Sequence, residues 1–261
     1  MKSIEKKSTS NSYLNNRIAL NAQFQKVNFI LWQKKVYDRI LSKFFKEKTG
    51  IKILDIGCGT GMQTNIFTKF FKNPLIMNLD KSQKSLLELK KKHINKNIKI
   101  KRMDIDDIKK NYFQKSLPKE NFDLIHSSYS LYYSKNPKKL LDDLFKLLLK
   151  DGVLIVSAPD EPHEMVNFIN KNSKVPLKVI NTIKFFRKVL IPFLIKKSKK
   201  IQIYKKKNIL KFNDSKSFIK FWKSTTYYNP KYLKKIENCL HRRKNLAFTK
   251  ISSIATIKKI S

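Results

Sequence analysis

Between Ile53 and Gly61 a short apolar run that carries one acid, Ile53-Leu54-Asp55-Ile56, breaks into glycine at alternate positions, Gly57, Gly59 and Gly61. The pattern predicts a strand entering a turn where a ligand lies against bare backbone, because glycine accepts positive φ and leaves room where a Cβ would collide. Three further segments repeat the strand-then-polar theme. Pro74 to Leu79 ends at Asp80, Ile98 to Arg102 ends at Met103-Asp104-Ile105-Asp106, and Phe122 to Ile125 ends at His126-Ser127-Ser128. The strand ends Asp55, Asp80, Asp104 and Ser127 lie about 25, 24 and 23 positions apart, which is the length of one strand, one helix and two loops. All four ends therefore return to one edge of a parallel sheet, where ligands of open α/β sheets bind.

The spacing of the glycines is not that of the dinucleotide fingerprint G-x-G-x-x-G, since Met62 stands where that pattern wants its third glycine. Leu54-Asp55-Ile56-Gly57-Cys58-Gly59-Thr60-Gly61 instead resembles the first motif of class I S-adenosylmethionine-dependent methyltransferases. Leu149-Lys150-Asp151-Gly152-Val153 resembles the "L-K-P-G-G" of the same family, with Asp151 for the proline and Val153 for the second glycine, and the likeness covers about Ile51 to Pro159. It implies a Rossmann-like, doubly wound α/β fold: a mostly parallel seven-stranded sheet with a helical N-terminal extension and a lid insert. It also implies S-adenosyl-L-methionine as cofactor. Gly57, Gly59 and Gly61 would pass under its methionine part, with Cys58 in the same loop and Asp55 holding that loop. Asp80, with Lys81 beside it, would bind the ribose hydroxyls. Asp104 would accept from the adenine amino group with Ile105 against the ring, and Ser127 would lie beside the sulfonium. Read without the resemblance, Asp80 also suits the N-cap of a helix from Ser82 to Lys92, and Asp104 and Asp106 compete for one role. Cys58 reads as a packed residue, since nothing near it in sequence would activate a thiol.

Transfer from a sulfonium asks for placement of the acceptor in line with the methyl group, and for a base only when the acceptor is protonated. Catalytic residues are correspondingly hard to read. His126, Tyr129, Tyr132, Tyr133 and Glu161 stand near the expected mouth, with His163 as the candidate base. By resemblance, enzymes that methylate planar exocyclic nitrogens carry an Asn/Asp-Pro-Pro-aromatic tetrapeptide where this chain has His126-Ser127-Ser128-Tyr129, and methylation at pyrimidine C5 needs a cysteine that neither Cys58 nor Cys239 supplies. The expected function is methyl transfer to an O or N atom of a small molecule by in-line displacement. Two alternatives stay open: an RNA methyltransferase, and a cofactor-binding accessory protein without activity.

Those alternatives rest on charge. The chain has 58 basic and 19 acidic residues, net +39, a balance that attracts RNA and anionic lipid. Only six of the basic residues are arginine, the side chain suited to forked recognition of phosphate, and abundant Lys, Ile, Asn and Phe fit an A/T-rich coding bias. The charge is uneven: Met165 to Asn213 holds fourteen basic residues and no acid. Apolar residues at helical spacing from Val179 to Leu190 make this a basic amphipathic segment, packed on the core or facing an anionic acceptor. RNA and anionic membrane are the less favoured partners.

The expected organisation is a flexible segment over 1–27 and a methyltransferase domain over 28–261, within which 160–213 is the basic lid. Asn28 to Lys48 reads as a helix, with Phe29, Ile30, Trp32, Val36, Ile40, Leu41 and Phe44 as its apolar stripe. Ser215 to Ser224 and Pro230 to Arg243 read as helices, and Leu246 to Lys258 as a final strand or hairpin. No apolar run approaches the roughly 20 residues of a bilayer span. Two cysteines offer no disulfide framework, and the four histidines show no metal-ligand spacing, so a cytoplasmic protein without a metal is expected.

Overall fold

The computed structural model describes residues 20, 23–24, 29–46, 48–93, 97–108, 122–198 and 200–260. Seven strands form one sheet in the order β3-β2-β1-β4-β5-β7-β6. They are β1 (Lys52–Ile56), β2 (Leu75–Asp80), β3 (Ile98–Arg102), β4 (Phe122–Ser128), β5 (Leu148–His163), β6 (Ile201–Lys211) and β7 (Ala247–Lys258). The pairs β1·β2, β1·β4, β2·β3 and β4·β5 are parallel. β7 runs the other way: Lys259 N donates to Gly152 O at 2.8 Å and Asp151 N donates to Lys259 O at 2.9 Å, which brings the end of β7 to the start of β5. The doubly wound, mostly parallel sheet expected from the sequence is the one observed.

The chain divides into two compact units. The larger comprises Ile30–Ala158, Phe185–Lys205 and Ser253–Ser261. Its helices include α1 (Phe29–Phe45), α2 (Met62–Phe70), α3 (Gln83–Lys92) and α4 (Pro137–Leu147). Strand side chains alternate between faces, and the core follows that period. Leu54, Ile56, Met77, Leu79, Ile125, Leu154 and Val156 pack with Leu140, Leu141 and Leu144 of α4 on one face. Ile53, Ile76, Leu124, Val153 and Ile155 pack with Ile40, Leu41 and Tyr37 of α1 on the other. Caps start the helices where the sequence changes period: Asn136 accepts from Lys139 N ahead of Pro137, and Ser82 accepts from Ser85 N. α2 has no side-chain cap and begins at Gly61, in the left-handed region at φ 84°.

The smaller unit comprises Met1–Phe29, Pro159–Lys184 and Lys206–Ser252. Its helices are α5 (Glu164–Asn172), α6 (Leu177–Phe185), α8 (Ser215–Lys223) and α9 (Leu233–His241); the π turn over Phe186–Leu190 and α7 (Ile191–Lys197), which follow α6 in the chain, belong to the larger unit. The core of the smaller unit is aromatic, with Phe212, Phe218, Phe221, Trp222 and Phe248 all buried. Most of the N-terminal segment expected to be loose lies outside the described residues, but Leu20 and Phe24 pack into this core, Phe24 against the Phe212 ring at 4.9 Å.

Two differences from the sequence reading have physical causes. The basic segment read as one insert contains β6, whose later positions alternate, Asn208 and Leu210 buried while Lys207, Ile209 and Lys211 are exposed. An edge strand rich in lysine resists further strand pairing and shows little apolar signal. The stripe of α1 keeps Val36, Ile40 and Leu41 buried as expected but differs at its edges. Gln33 and Tyr37 face inward, and Ile30 is 59% exposed.

Candidate functional site

The parallel strands β1, β2, β3 and β4 of the larger unit end at the same edge, and the turn after β1 is held there by its neighbours. Gly57 N and Cys58 N both donate to Leu79 O, at 2.7 and 3.1 Å, so the turn is fastened to the last residues of β2. Gly57, Gly59 and Gly61 have φ of 67°, 56° and 84°, each in the region that costs an L-residue about 1–2 kcal/mol. Their surroundings differ. A Cβ on Gly57 would lie 2.3 Å from Ser130 Cβ, and one on Gly61 would lie 3.0 Å from Leu89. A Cβ on Gly59 would meet nothing within 4 Å. Gly57 is therefore required by the protein itself, and Gly59 borders open space.

Asp80, at the end of β2, is half-buried, and its two oxygens are used separately: Oδ2 accepts from Gly59 N at 2.9 Å and Oδ1 accepts from Ser82 N at 2.8 Å. Ser82 and not Asp80 is the N-cap of α3; Asp80 holds that cap residue through its N–H, and a carboxylate with about four acceptor positions keeps room for a further donor. Lys81 is half-buried, and its carbonyl accepts from Arg102 Nε at 3.3 Å. After β3 the rival acids separate. Asp106 is spent on structure, accepting from Ser134 Oγ at 2.5 Å and from Lys135 N at 3.1 Å. Asp104 caps the short turn Ile105–Asp107 through one oxygen, which accepts from Asp106 N, and keeps an exposed carboxylate with Ile105 half-buried beside it.

Asp55 lies elsewhere than at the surface of the turn. It is 1% exposed, and His126 Nδ1 donates to its Oδ1 at 2.8 Å. Thr64 Oγ1, in the first turns of α2, stands 3.5 Å from its Oδ2 and donates to Asn78 Oδ1 at 2.8 Å. His126, expected near the mouth, is fully buried for the same reason. Ser127 is also buried, its hydroxyl paired with that of Ser130, which donates onward to Ile56 O at 2.9 Å. Ser130 is a residue that sequence reasoning missed: its contact with Gly57 is long-range and leaves no local pattern. Tyr132 packs against Tyr133 at 4.6 Å and Phe185 at 6.1 Å.

Cys58 is buried with Leu86 and Leu89. Burial, and then the charges of Asp55 and Asp80, push its thiol well above the ordinary range, so it stays protonated and unreactive. His163, in the smaller unit, is half-buried, and its Nδ1 is shut from water without a hydrogen-bond partner among the described residues. Burial, and then the charge of Lys250, push the ring down to about 3. It is therefore neutral over the working range and a weak proton acceptor. Among the described residues no cluster of three or more His, Cys, Asp or Glu could hold a metal, and no helix is long and apolar enough to cross a membrane.

A family model described as "Methyltransferase domain" matches residues 47–214. Malonyl-[acyl-carrier protein] O-methyltransferase of Bacillus cereus is 28% identical over 129 residues, 48% of this chain and 45% of that protein. Ubiquinone/menaquinone biosynthesis C-methyltransferase of Campylobacter jejuni is 30% identical over 132 residues, 49% of this chain and 52% of that protein. The chain thus spans about half the length of the curated relatives it matches. Among solved structures, a plantazolicin methyltransferase in complex with SAH has a TM-score of 0.56 at 15% identity, covering 98% of this chain and 93% of that one. The turn, the sheet order and the family match agree: this chain belongs to the methyltransferase-domain family, within the class I S-adenosylmethionine-dependent superfamily that its first motif resembles.

Proposed function

We propose that the protein is an S-adenosylmethionine-dependent methyltransferase acting on an O or N atom of a small molecule. The observation that carries the cofactor reading is the pairing of Asp80 with Gly59 N beside the one turn position where a Cβ would meet only open space. A ligand can lie on the backbone there, with a carboxylate next to it. Gly57, Gly59 and Gly61 would form the floor under the methionine part. Asp80, with Lys81, would take the ribose hydroxyls, and Asp104 with Ile105 the adenine. Cys58, Asp55 and Ser127 would serve from within, holding the turn and the end of β4. When bound, the cofactor supplies an electrophilic methyl group on a sulfonium. The chain's own task is then to orient the acceptor and exclude water. His163 remains the candidate base only for an acceptor that gives up its proton readily, because its ring binds protons weakly.

The relatives are named for O- and for C-methyl transfer, so the acceptor atom is argued from this chain alone: His126-Ser127-Ser128-Tyr129 at the end of β4 is unlike the tetrapeptide of base-amine enzymes. The basic segment over 160–213 is proposed as the lid on the acceptor side, and the absence of acids from Met165 to Asn213 suits an anionic acceptor. The test is incubation with methyl-labelled cofactor and separated metabolite and RNA fractions of cell extract. Label entering the metabolite fraction supports the reading, and label entering only RNA replaces it. No label in either, with the cofactor bound, would make the protein an accessory factor. RNA binding would also lose affinity steeply from low to moderate salt.

A further inference from the structure

On the α1 side of the sheet, behind the turn, a continuous chain of buried polar side chains is left over once the contacts proposed for the cofactor are assigned. Asp55 Oδ1 accepts from His126 Nδ1 at 2.8 Å, and His126 Nε2 lies 2.8 Å from the Tyr37 hydroxyl. That hydroxyl also lies 2.9 Å from Ser157 Oγ and 3.4 Å from Gln33 Nε2, which in turn donates to Ser128 Oγ at 3.2 Å. His126 and Tyr37 are 0% exposed, Asp55 1%. The chain has one consistent direction. A carboxylate only accepts, so the Asp55 contact places the proton of His126 on Nδ1. Nε2 then accepts from the Tyr37 hydroxyl, whose oxygen accepts from Ser157 and Gln33. Burial pushes the Tyr37 phenol up to about 12, so it remains a donor throughout the working range.

Apolar side chains of similar size would seat α1 on the sheet with less desolvation. What they lack is direction, and the chain ends where direction matters. Asp55 stands two residues before Gly57 and pairs with His126 in the β1·β4 register. The next residue after His126 is Ser127, whose hydroxyl meets Ser130, the side chain that fills the space at Gly57.

We propose that Tyr37 is a positioning residue for the turn: through His126 and Asp55 it ties the seating of α1 to the geometry that begins at Gly57, so that cofactor binding and α1 seating reinforce each other. This rests on the cofactor reading above. Such coupling is reciprocal, so whatever factor Tyr37 contributes to cofactor affinity, the cofactor returns to the stability of α1.

The test uses S-adenosylhomocysteine as probe on the full chain, with calorimetry for affinity and hydrogen exchange for the amides of α1. In the unsubstituted protein the probe should slow exchange across Phe29–Phe45. Tyr37→Phe should bind it about tenfold more weakly and lose that slowing. Ile40→Val, a purely apolar trim on the same helix, should speed α1 exchange in the free protein yet keep both the affinity and the slowing by the probe. Equal affinity in Tyr37→Phe, or slowing that persists there, overturns the proposal while the cofactor reading stands. No binding by the unsubstituted protein overturns both. If Tyr37→Phe does not fold, Ser157→Ala removes one donor to the same oxygen and leaves every ring in place. About threefold weaker binding then supports the proposal, and unchanged binding overturns it.

Discussion

Two alanine substitutions two residues apart in the turn should fail in different ways. At Gly57 an added Cβ faces both left-handed strain at φ 67° and overlap with Ser130, whose Cβ and Oγ would be 2.3 and 2.6 Å away. The strain costs about 1–2 kcal/mol. Overpacking adds about 1–3 kcal/mol, and moving Ser130 breaks its hydrogen bond to Ile56 O, about 1 kcal/mol more. Together these destabilise by about 3–6 kcal/mol, and at about 2–4 °C per kcal/mol for a chain of this size Tm falls by about 6–24 °C. At Gly59 only the strain applies, about 1–2 kcal/mol and so about 2–8 °C. There, however, the methyl enters the open space beside the N–H that Asp80 accepts. Gly59→Ala should therefore keep most of the fold and bind S-adenosylhomocysteine at least tenfold more weakly. Thermal melts with and without that compound, together with calorimetry, measure both effects. If Gly59→Ala binds like the unsubstituted protein, the ligand does not lie on the turn. If Gly57→Ala melts no lower than Gly59→Ala, the steric argument is wrong.

Asp80→Ala removes a charged acceptor and should weaken cofactor binding roughly 10- to 100-fold in calorimetry; an unchanged dissociation constant would take Asp80 out of the site. Native protein treated with a thiol reagent at pH 8 should label at the half-exposed Cys239 and spare Cys58 until denatured, because Cys58 is buried and held protonated; equal labelling would contradict that. His163, held down at about 3 when folded against about 6.5 when unfolded, makes the unfolded chain bind more protons between those values. Its contribution is present in full above pH 6.5 and declines as pH falls toward 3. Between pH 7 and pH 5 the protein should lose about 1–2 kcal/mol that His163→Gln does not lose, and parallel denaturant titrations of the two would show it.

The strand ends were legible because a parallel sheet repeats: each β-α passage takes similar length, and Asp55, Asp80, Asp104 and Ser127 keep that period. What the side chains do at those ends was less legible, because their partners come from other strands. Asp55 and His126 look like surface candidates in one dimension, yet parallel pairing sets them side by side in the core. The same holds for α1. A stripe drawn through Ile30, Val36 and Ile40 maximises apolar content; the buried face keeps Val36 and Ile40, leaves Ile30 out and adds Gln33 and Tyr37, because strands β4 and β5 offer them hydroxyls and an imidazole. β6 is hard to read because Lys205, Lys207 and Lys211 share its exposed positions with Ile203 and Ile209 while Asn208 is buried, so apolar and polar residues do not alternate with burial. Asp104 and Asp106, equivalent in sequence, were separated only by Ser134 and Lys135, which claim Asp106.

The net charge of +39 bears on the cofactor as well as on any polyanion. S-adenosylmethionine carries one more positive charge than S-adenosylhomocysteine, so a positive protein repels it more at long range. The carboxylates that would hold it act at short range, Asp80 beside the turn and Asp104 at the end of β3. Long-range repulsion between exposed charges is screened over about 10 Å at 0.1 M salt, and hydrogen-bonded contacts are screened much less. Added salt should therefore help the methyl-bearing form more than the demethylated one. The ratio of the two dissociation constants, S-adenosylmethionine over S-adenosylhomocysteine, should fall by a factor of about 2 between roughly 0.02 and 0.5 M salt. Calorimetry at both ionic strengths measures it. A ratio that rises with salt would mean that the sulfonium sits in a net negative field, and that the acids of the site outweigh the lysines around them.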